Sequence, residues 1–352
     1  MDSKPATPTR YAEAGVDISK KYDAVERATA AIRTTFTPGV LGDVGLFGGL
    51  FDPAAVGCGG QVLVASADGV GTKLEIAKRA RVYHTVGRDL VNHCINDILV
   101  QGARPLFFLD YVAVGRMEPD VVSELIRGCA DACREEGLAL LGGETAEMPG
   151  LYAPGDFDLA GFIVGSVARD KILDGSRVRA GQSLIAIASA GLHTNGYSLA
   201  RKIVFEDLAL DLAARPAELG GTRLADALLA PHRCYYRALW PLLESGCIAA
   251  MAHITGGGLV DNVPRVLGNH DAWIDRASWR APALFEFLCR HGRVAQDEAY
   301  QVFNMGVGMV LFVDAGHEAQ VLQHLAADGQ TAFRIGEVSA ARSGEGCVRW
   351  KD

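Results

Sequence analysis

The segment from residue 39 to residue 60 limits the fold of this chain more than any other feature. It reads GVLGDVGLFGGLFDPAAVGCGG and holds eight glycines. Glycine loses more conformational freedom on folding than any other residue, so this density disfavours both helix and strand. We predict a long loop here, with a backbone that a ligand can approach closely.

Glycine is also abundant in the chain as a whole, with 41 in 352 residues against an average of about 7%. The glycines follow no Gly-X-Y period, which excludes a collagen-like rod. Hydrophobic residues make up 49% of the chain and charged residues 22%, which excludes a disordered chain. The remaining class is a globular protein that needs an unusual amount of glycine.

The net charge, the hydropathy and the placement of the cysteines limit which binding partners and which cellular compartment we expect. The net charge is −8 without a Lys/Arg cluster, so we expect no nucleic-acid partner. No run of about 18 apolar residues indicates a membrane span. The first ten residues have no apolar core of a secretory signal. The eight cysteines are scattered without a CxxC pair, which predicts reduced thiols and a cytoplasmic location.

Apolar runs and amphipathic stretches alternate along the chain, which predicts an α/β or α+β protein. Strands are expected at 62–68, 106–114, 138–143, 159–167, 183–189, 249–254, 307–313 and 332–338, and helices at 89–101, 119–137, 198–212, 231–243, 259–267 and 317–327. A polar stretch at 168–182 separates two such sets. We predict a flexible tail at 1–10, an N-terminal domain at 11–172 and a C-terminal domain at 173–352.

The motif DGVGTK, residues 68–73, follows the first predicted strand. Gly69 and Gly71 free backbone N–H groups that can cradle phosphate, and Thr72 and Lys73 add a hydroxyl and a cation. Asp68 suits Mg²⁺, which binds one or two carboxylates together with substrate phosphates. The motif is neither a Walker A loop nor GxGxxG. A tight turn with a solvated lysine is the competing interpretation.

The predicted helix 89–101 carries short polar residues along one face. They are Asp89, Asn92, His93, Asn96 and Asp97. An ordinary solvated face is built from better helix formers such as Lys and Glu, so this face suggests ligand or metal contacts. Asp89 is expected to cap the helix. A polar contact between helices, satisfied by hydrogen bonds, is the alternative.

The segment LGGETAEMPG, residues 141–150, places Glu144, Thr145 and Glu147 after a predicted strand and a glycine pair. Acidic residues at strand ends often hold metal and phosphate in α/β enzymes. With Asp68 and Asp97, Glu144 would complete a carboxylate set for one or two Mg²⁺ ions. A helix cap is the alternative.

Two strand-to-helix junctions in the second half have the character of anion sites. HTNGYS begins at residue 193 and TGGG at residue 255. Helix N-termini and glycine-rich turns present N–H groups to phosphate. A satisfied polar residue and a flexible turn are the competing interpretations. The candidate substrate-binding residues are His193, Thr194, Asn195, Thr255, Gly256 and Gly257.

Seven blocks in order along the chain resemble the phosphoribosylformylglycinamidine cyclo-ligase (aminoimidazole ribonucleotide synthetase) family. They are YAEAGVDI (11–18), DGVGTK (68–73), ND…QGARPLFFLDY (96–111), GGETAEMPG (142–150), HTNGYS (193–198), HITGGGLVDNVPRVL (253–267) and FNMGVGM (303–309). They span nearly the whole chain, which makes the combination specific.

The resemblance implies a two-domain fold shared with formylglycinamidine ribonucleotide synthase, selenophosphate synthetase and thiamine-phosphate kinase. It implies ATP and Mg²⁺, and a homodimer whose N-terminal domains pair their sheets into a barrel. The nucleotide-binding residues would be Gly69, Gly71, Thr72, Lys73 and Asn96, and the metal ligands Asp68, Asp97 and Glu144. Lys73, Asp97 and His193 would be catalytic, the last for substrate phosphate or a proton.

The implied reaction closes the imidazole ring of formylglycinamidine ribonucleotide at the expense of ATP. Two alternatives remain at this point. Cys58 in the glycine-rich segment is compatible with a selenophosphate synthetase, a sister enzyme of the same fold. A non-catalytic nucleotide-binding subunit would keep the glycine loops but could dispense with the carboxylates.

Overall fold

A computed structural model describes residues 34, 38–43, 49–56, 60–342, 344 and 346–351. The tail at 1–10, the block at 11–18 and Cys58 lie outside the described residues, so their predictions stay untested. The described chain forms two halves, each built on one β-sheet with helices packed against it.

The first half contains five strands and three helices. They are β1 (Gly49–Phe51), β2 (Val62–Gly69), α1 (Leu74–Ala80), α2 (His84–Leu99), β3 (Arg104–Val114), α3 (Pro119–Glu136), β4 (Ala139–Glu147) and β5 (Phe157–Val167). The strand order is β1-β2-β5-β3-β4. Only the pairing of β3 with β4 is parallel. Helix α3 is bounded as its sequence predicts, by Pro119 in its first turn and a left-handed Gly137 after it.

Helices α2 and α3 cross at two glycines. A Cβ on Gly87 of α2 would lie 2.2 Å from the carbonyl oxygen of Leu125, and one on Gly128 of α3 would lie 2.1 Å from that of His84. The absence of both side chains lets the two backbones meet. Part of the glycine excess therefore serves helix packing.

The second half contains six strands and seven helices. They are β6 (Ser183–Ala188), α4 (Tyr197–Arg201), α5 (Leu224–Leu228), α6 (Tyr236–Ser245), β7 (Ile248–His253), α7 (Gly258–Asn262), β8 (His270–Asp275), α8 (Ala283–Gly292), α9 (Gln296–Val302), β9 (Val307–Val313), α10 (Glu318–Ala327), β10 (Ala332–Ala340) and β11 (Val348–Lys351). The strand order is β11-β8-β10-β6-β9-β7, antiparallel except for β11 with β8. Strands β7 and β9 are buried along their whole length.

The mixed α/β class is confirmed, and so are the eight predicted strands, although several are longer than expected. Three local predictions are wrong. The glycine-rich segment is not entirely a loop, because Gly49–Phe51 pairs with β2 and a 3₁₀ turn follows at Pro53–Val56. Asp89 does not cap a helix, because α2 begins at His84. Glu144 to Glu147 continue β4 rather than follow it.

The second half deviates more from the prediction. Where a helix was expected at 198–212, the α-helix ends at Arg201 and a π-helix, Lys202–Asp207, follows it. Strands β8 and β11 and helices α5, α8 and α9 were not predicted, and the helix expected at 231–243 begins only at Tyr236. None of the described helices is long and apolar enough to cross a bilayer.

Candidate active site

The site lies where the two halves meet, at the end of β2. Asp68 is the penultimate residue of this strand, and its carboxylate is 45% exposed. One carboxylate oxygen accepts the N–H of Gly69 at 2.7 Å. The chain then turns through a left-handed Gly71 into a 3₁₀ turn, Gly71–Lys73. The hydroxyl of Thr72 lies 3.1 Å from that of Ser198 at the start of α4, which joins the two halves here.

Lys73 points into the interior instead of toward the loop surface. Its side chain is fully buried, and its Nζ lies 2.6 Å from Asp89 of α2 and donates to the carbonyl of Ala230 at 2.9 Å. Burial lowers the pKa of Lys73 and raises the pKa of Asp89, and their contact opposes both shifts. The cation is therefore committed to an ion pair within the chain.

The polar face of α2 holds the backbone of the segment that joins α5 to α6. Asp89 accepts the N–H of His232 at 2.6 Å, and Asn92 donates to the carbonyl of His232 at 2.7 Å. The Asn96 amide donates to the carbonyl of Arg233 at 2.8 Å and accepts the N–H of Tyr235 at 3.0 Å. We call these three side chains the α2 clamp. The alternative interpretation of this face was a polar contact between helices. The clamp residues do make such hydrogen bonds, but to a connecting segment rather than to a helix.

The two remaining residues of that face, His93 and Asp97, enter a closed ring of hydrogen-bonding and ion-pair contacts with three residues of the second half. His93 Nδ1 lies 2.7 Å from Thr194 Oγ1, which lies 3.5 Å from His232 Nδ1. His232 Nε2 lies 3.1 Å from His253 Nε2. His253 Nδ1 lies 2.8 Å from Asp97 Oδ1, and Asp97 Oδ2 lies 3.4 Å from His93 Nε2. We call this set the histidine ring.

One arrangement of hydrogens satisfies the four hydrogen-bonding contacts that run from His93 through Thr194, His232 and His253 to Asp97. The contact of Asp97 with His93 Nε2 that closes the ring is an ion pair. His253 donates from Nδ1 to Asp97 and accepts at Nε2 from His232. His232 Nδ1 then accepts from the Thr194 hydroxyl, whose oxygen accepts from His93. His93 Nε2 lies 2.7 Å from the carboxylate of Asp68 and 3.4 Å from that of Asp97, and an imidazole between two carboxylates carries a positive charge.

The charges within the ring follow from its contacts. Burial by itself lowers the pKa of His93, but Asp68 and Asp97 outweigh it and raise that pKa well above its usual value. Burial by itself raises the pKa of Asp97, but His93 and His253 hold it far below its usual range. One imidazolium thus lies between two carboxylates.

The other histidines of this region are neutral. Burial lowers the pKa of His193 and of His232 well below the usual value, and neighbouring cationic groups add to the effect. Burial also lowers the pKa of His253, although Asp97 opposes the shift. Two trios come within metal-binding reach, one of His193, His232 and His253 and one of His93, Asp97 and His253. Hydrogen-bonding contacts occupy both ring nitrogens of His232 and of His253, so a metal bound by either trio would have to displace them.

The two predicted substrate loops are neighbours. A Cβ on Gly256 would lie 3.2 Å from the side-chain oxygen of Asn195. Gly257, with φ of +96°, precedes α7. The side chain of Asn262 in α7 donates to the carbonyls of Thr255, Gly256 and Gly258, which fixes the turn. The structure thereby brings HTNG and TGGG together.

Glu144 is not brought to the other carboxylates within the chain. It lies in β4, three strands away from Asp68 in β2, which is about 14 Å at ordinary strand spacing. Asp68 and Asp110 both pair with Gly161, from the two strands beside it, so these two carboxylates share one face of the sheet. Glu144 pairs with Tyr111, the residue after Asp110, and therefore points to the opposite face.

Asp110 is a carboxylate that sequence reasoning missed. It lies on the same face as Asp68, two strands away, and is 7% exposed. Burial raises its pKa. A Cβ on its neighbour Gly143 would lie 2.3 Å from its Oδ1, so the second glycine of LGGE makes room for this carboxylate. The signal that the sequence contained was an aspartate inside an otherwise apolar strand, PLFFLDYVAV.

Among the predicted metal ligands, Asp68 fits a Mg²⁺ ion best. Its carboxylate is partly exposed and keeps lone pairs beyond those used by Gly69 and His93. Asp97 is 8% exposed, and both of its oxygens face histidines. The structure brings Asp68, Asp97 and Thr194 together around His93, while His232 and His253 were not among the predicted site residues.

The two halves match family models of known proteins. Residues 51–167 match the N-terminal domain of AIR synthase related proteins, and residues 179–348 match the C-terminal domain. A phosphoribosylformylglycinamidine cyclo-ligase of Trichlorobacter lovleyi is 47% identical over 339 residues, which cover 96% of each chain. One of Lactobacillus delbrueckii is 45% identical over 337 residues, 96% of this chain and 97% of the relative.

Solved structures share the fold at lower identity. Thiamine-monophosphate kinase from Stenotrophomonas maltophilia aligns with a TM-score of 0.62 at 20% identity, covering 92% of this chain and 95% of the kinase. The hydrogenase maturation protein HypE in complex with ATP aligns with a TM-score of 0.59 at 18% identity, covering 82% of each chain. By the match of both domains and the identity along nearly its whole length, the chain belongs to the AIR synthase related family, together with the phosphoribosylformylglycinamidine cyclo-ligases.

Proposed function

We propose that this protein converts formylglycinamidine ribonucleotide to 5-aminoimidazole ribonucleotide with the use of ATP, in purine biosynthesis. The observation that carries this proposal is the 45–47% identity to cyclo-ligases over 96% of the chain. The two carboxylates beside His93 support it, since a non-catalytic nucleotide-binding subunit could dispense with them.

The chemistry requires activation of an amide oxygen, which is a poor leaving group. The γ-phosphoryl group of ATP passes to the formamide oxygen and gives an iminophosphate and ADP. An amidine nitrogen then attacks the same carbon, and inorganic phosphate and a proton leave as the imidazole ring closes. Transfer between two anionic partners depends on positioning and charge neutralisation more than on covalent catalysis.

The loop after β2 is the proposed nucleotide site. Gly69, Gly71 and Thr72 offer backbone N–H groups and a hydroxyl to phosphate. Asp68 would hold a Mg²⁺ ion, which supplies charge neutralisation on the phosphates when bound. Asn96 and Lys73 stabilise this region through the α2 clamp and the ion pair to Asp89, respectively.

Asp97 acts through the histidine ring in this proposal. Its two oxygens orient His93 and His253, and His93 in turn fixes one oxygen of Asp68. The carboxylate of Asp97 also balances the charge of His93 in the interior. Asp97 thus holds the nucleotide-side carboxylate and Thr194 on the substrate side in one network.

The adjoining loops of the second half are the proposed substrate site. His193, Thr194 and Asn195 would meet the phosphorylated substrate together with Thr255, Gly256 and Gly257 of the facing turn. Backbone without side chains at Gly256 and Gly257 allows close approach to a phosphate. These loops lie next to the end of β2, as a transfer between ATP and substrate requires.

We also propose a homodimer formed through the first sheet, with domains at 11–172 and 173–352. In the described part of the chain, α2 packs on one face of this sheet, where a Cβ at Gly161 or Gly165 of β5 would meet Leu90 or Ile98, and Phe162 points to the other face. Large apolar side chains on its strands remain exposed, Leu63 at 36%, Leu106 at 40%, Leu141 at 64% and Phe162 at 47%. Pairing this face with that of a second copy would bury them.

The test is to incubate the protein with Mg-ATP and formylglycinamidine ribonucleotide and to quantify ADP and aminoimidazole ribonucleotide. We expect equal amounts of both, and no ADP when the substrate is omitted. Product without ADP, or ADP formed without substrate, would contradict the proposed function. Thiamine monophosphate and selenide serve as control substrates for the sister activities, and neither is expected to support turnover.

A further inference from the structure

His232 lies outside every motif of the sequence, yet its side chain contacts four residues of the site, which are His93, His193, Thr194 and His253. It belongs to no helix or strand, in the segment between α5 and α6, and is 1% exposed. A polar residue in a connecting segment is ordinarily exposed. Complete burial of an imidazole in such a segment therefore calls for a reason.

The backbone of His232 is fixed on both sides by the α2 clamp. Its N–H is held by Asp89 and its carbonyl by Asn92, at 2.6 and 2.7 Å. Asn96 holds the carbonyl of Arg233 and the N–H of Tyr235 further along the segment, and Lys73 holds the carbonyl of Ala230 before it. The Cα of His232 consequently has a fixed position relative to α2, a helix of the other half.

The ring of His232 supports the predicted substrate loop from behind. It stacks on the ring of His193 with centroids 3.9 Å apart and planes at 22°. Its Nδ1 lies 3.5 Å from the hydroxyl of Thr194, and its Nε2 lies 3.1 Å from His253. Two consecutive residues of the loop thus contact one fixed imidazole.

His193 needs such support, because its backbone has φ of +60°. A non-glycine residue persists in this region only where the surrounding structure holds it. His193 is fully buried, and its Nε2 accepts the N–H of Ala190 at 3.1 Å. Its Nδ1 has no hydrogen-bond partner among the described residues. The stacked ring of His232 is the broad contact that keeps this imidazole in place.

We propose that His232 is a positioning residue, which transmits the fixed geometry of the α2 clamp to His193 and Thr194 and so shapes the substrate loop. The inference rests on the proposed function for the identity of the substrate. It assigns His232 no contact with ATP or with the reacting atoms. Loss of the ring should therefore weaken binding of the ribonucleotide substrate and leave ATP binding unchanged.

The test compares His232→Leu and His232→Gln with the wild type and with Cys234→Ala. Cys234 belongs to the same segment, but its thiol lies near Glu136 rather than the loop. We expect both His232 variants to raise the KM for formylglycinamidine ribonucleotide at least tenfold, with the KM for ATP within twofold. Cys234→Ala should match the wild type in both constants.

The glutamine variant separates positioning from stability. Its amide can still form a hydrogen bond toward His253, but it lacks the flat ring that stacks on His193. We expect near-normal thermal stability with the raised KM, and faster amide hydrogen exchange across residues 189–196. An unchanged substrate KM, an equal rise in both KM values, or unchanged exchange in that segment would overturn the proposal.

Failure of the proposed function is distinguishable from failure of this inference. A wild-type protein that forms no aminoimidazole ribonucleotide contradicts the function alone. Hydrogen exchange at residues 189–196 then decides the positioning role without turnover, and unchanged exchange in His232→Gln overturns it. If His232→Leu does not fold, His232→Gln carries the comparison.

Discussion

The Nζ of Lys73 lies 2.6 Å from the carboxylate of Asp89, and both side chains are wholly buried. Removing one member of such a pair leaves an uncompensated charge in the interior. We predict that Lys73→Met lowers the free energy of unfolding by about 3–5 kcal/mol. Urea denaturation measures this loss.

A surface pair in the same half provides the control for this prediction. Lys78 pairs with Glu75 and Asp156, and its side chain is 29% exposed. Lys78→Met should cost about 1 kcal/mol or less. The double variant Lys73→Met/Asp89→Asn should lose less stability than the sum of its single variants. A Lys73→Met variant as stable as Lys78→Met would contradict the interior role of Lys73.

Asp68 and Asp97 are predicted to respond differently to the same substitution. Asp68→Asn removes one of the two carboxylates from His93, but the side chain of Asp68 is 45% exposed and water can screen the lost charge. We therefore expect a loss of at most about 1 kcal/mol in stability, together with no substrate-dependent ADP formation. The substitution should also weaken the Mg²⁺ dependence of ATP binding, which calorimetry measures with and without the metal.

Asp97→Asn should lower stability as well as turnover. The substitution leaves the buried His93 imidazolium with one carboxylate in place of two and weakens the bond to His253. We expect a loss of about 2–4 kcal/mol in the free energy of unfolding. Equal stabilities for Asp68→Asn and Asp97→Asn would argue against the histidine ring.

Two adjacent glycines of β4, Gly142 and Gly143, allow a matched test of the space that the carboxylate of Asp110 needs. A Cβ at Gly143 would meet Asp110 at 2.3 Å, whereas one at Gly142 would have only Leu109 at 3.9 Å. Gly143→Ala should destabilise the protein by about 1–3 kcal/mol and displace Asp110, while Gly142→Ala should be nearly neutral. Thermal unfolding of the two variants checks this, and equal shifts in Tm would disprove it.

Local signals in the sequence predicted local structure well. Pro119 and Gly137 bound α3 because a helix's ends are set by residues within it and beside it. Asp89 was misread as a cap because the first turn of α2, from His84, lacks a clear apolar period. Short elements such as β11, whose register depends on the partner strand β8, have weak signals of their own.

The sequence predicted which types of residue form the site, but not which of these residues contact one another. Asp68, Asp97 and Thr194 belong to three motifs that are each visible in the sequence, and the fold brings the three residues together around His93. The partners of Lys73 are 16 and 157 residues away, so its burial had no local signal. His232 stands in no motif, and only the tertiary fold places it against His193.

The carboxylate of Asp271 predicts that the stability of the fold depends on pH, for a reason unrelated to the active site. It is fully buried, and burial by itself raises its pKa. The guanidinium of Arg349 and the N–H groups of Arg342 and Cys347 outweigh burial and lower the pKa to about 2 from 3.8. The group therefore stabilises the fold above pH about 4, and that contribution disappears as the pH falls toward about 2.

The stabilisation at neutral pH corresponds to about 2 kcal/mol. Asp271→Asn should lose it and show a flatter dependence of stability between pH 4 and pH 2. Asp297, which is 87% exposed, provides the control substitution Asp297→Asn. Parallel acid-unfolding curves for Asp271→Asn and the wild type would contradict the assignment.

The exposed face of the first sheet predicts the state of assembly. Phe162 is 47% exposed on the central strand β5. Phe162→Glu should convert a dimer to a folded monomer, as measured by analytical ultracentrifugation. Val82, which is 39% exposed outside the sheet, gives the control Val82→Glu. A monomeric wild type, or a dimer that tolerates Phe162→Glu, would exclude this interface.

The fate of one oxygen atom tests the central claim most directly. Formylglycinamidine ribonucleotide labelled with ¹⁸O in its formamide group is converted with unlabelled ATP, and the phosphate is examined by mass spectrometry. Transfer of the γ-phosphoryl group to that oxygen predicts one ¹⁸O in each inorganic phosphate released, with equal amounts of ADP and aminoimidazole ribonucleotide. Unlabelled phosphate, with the ¹⁸O recovered in water, would contradict it.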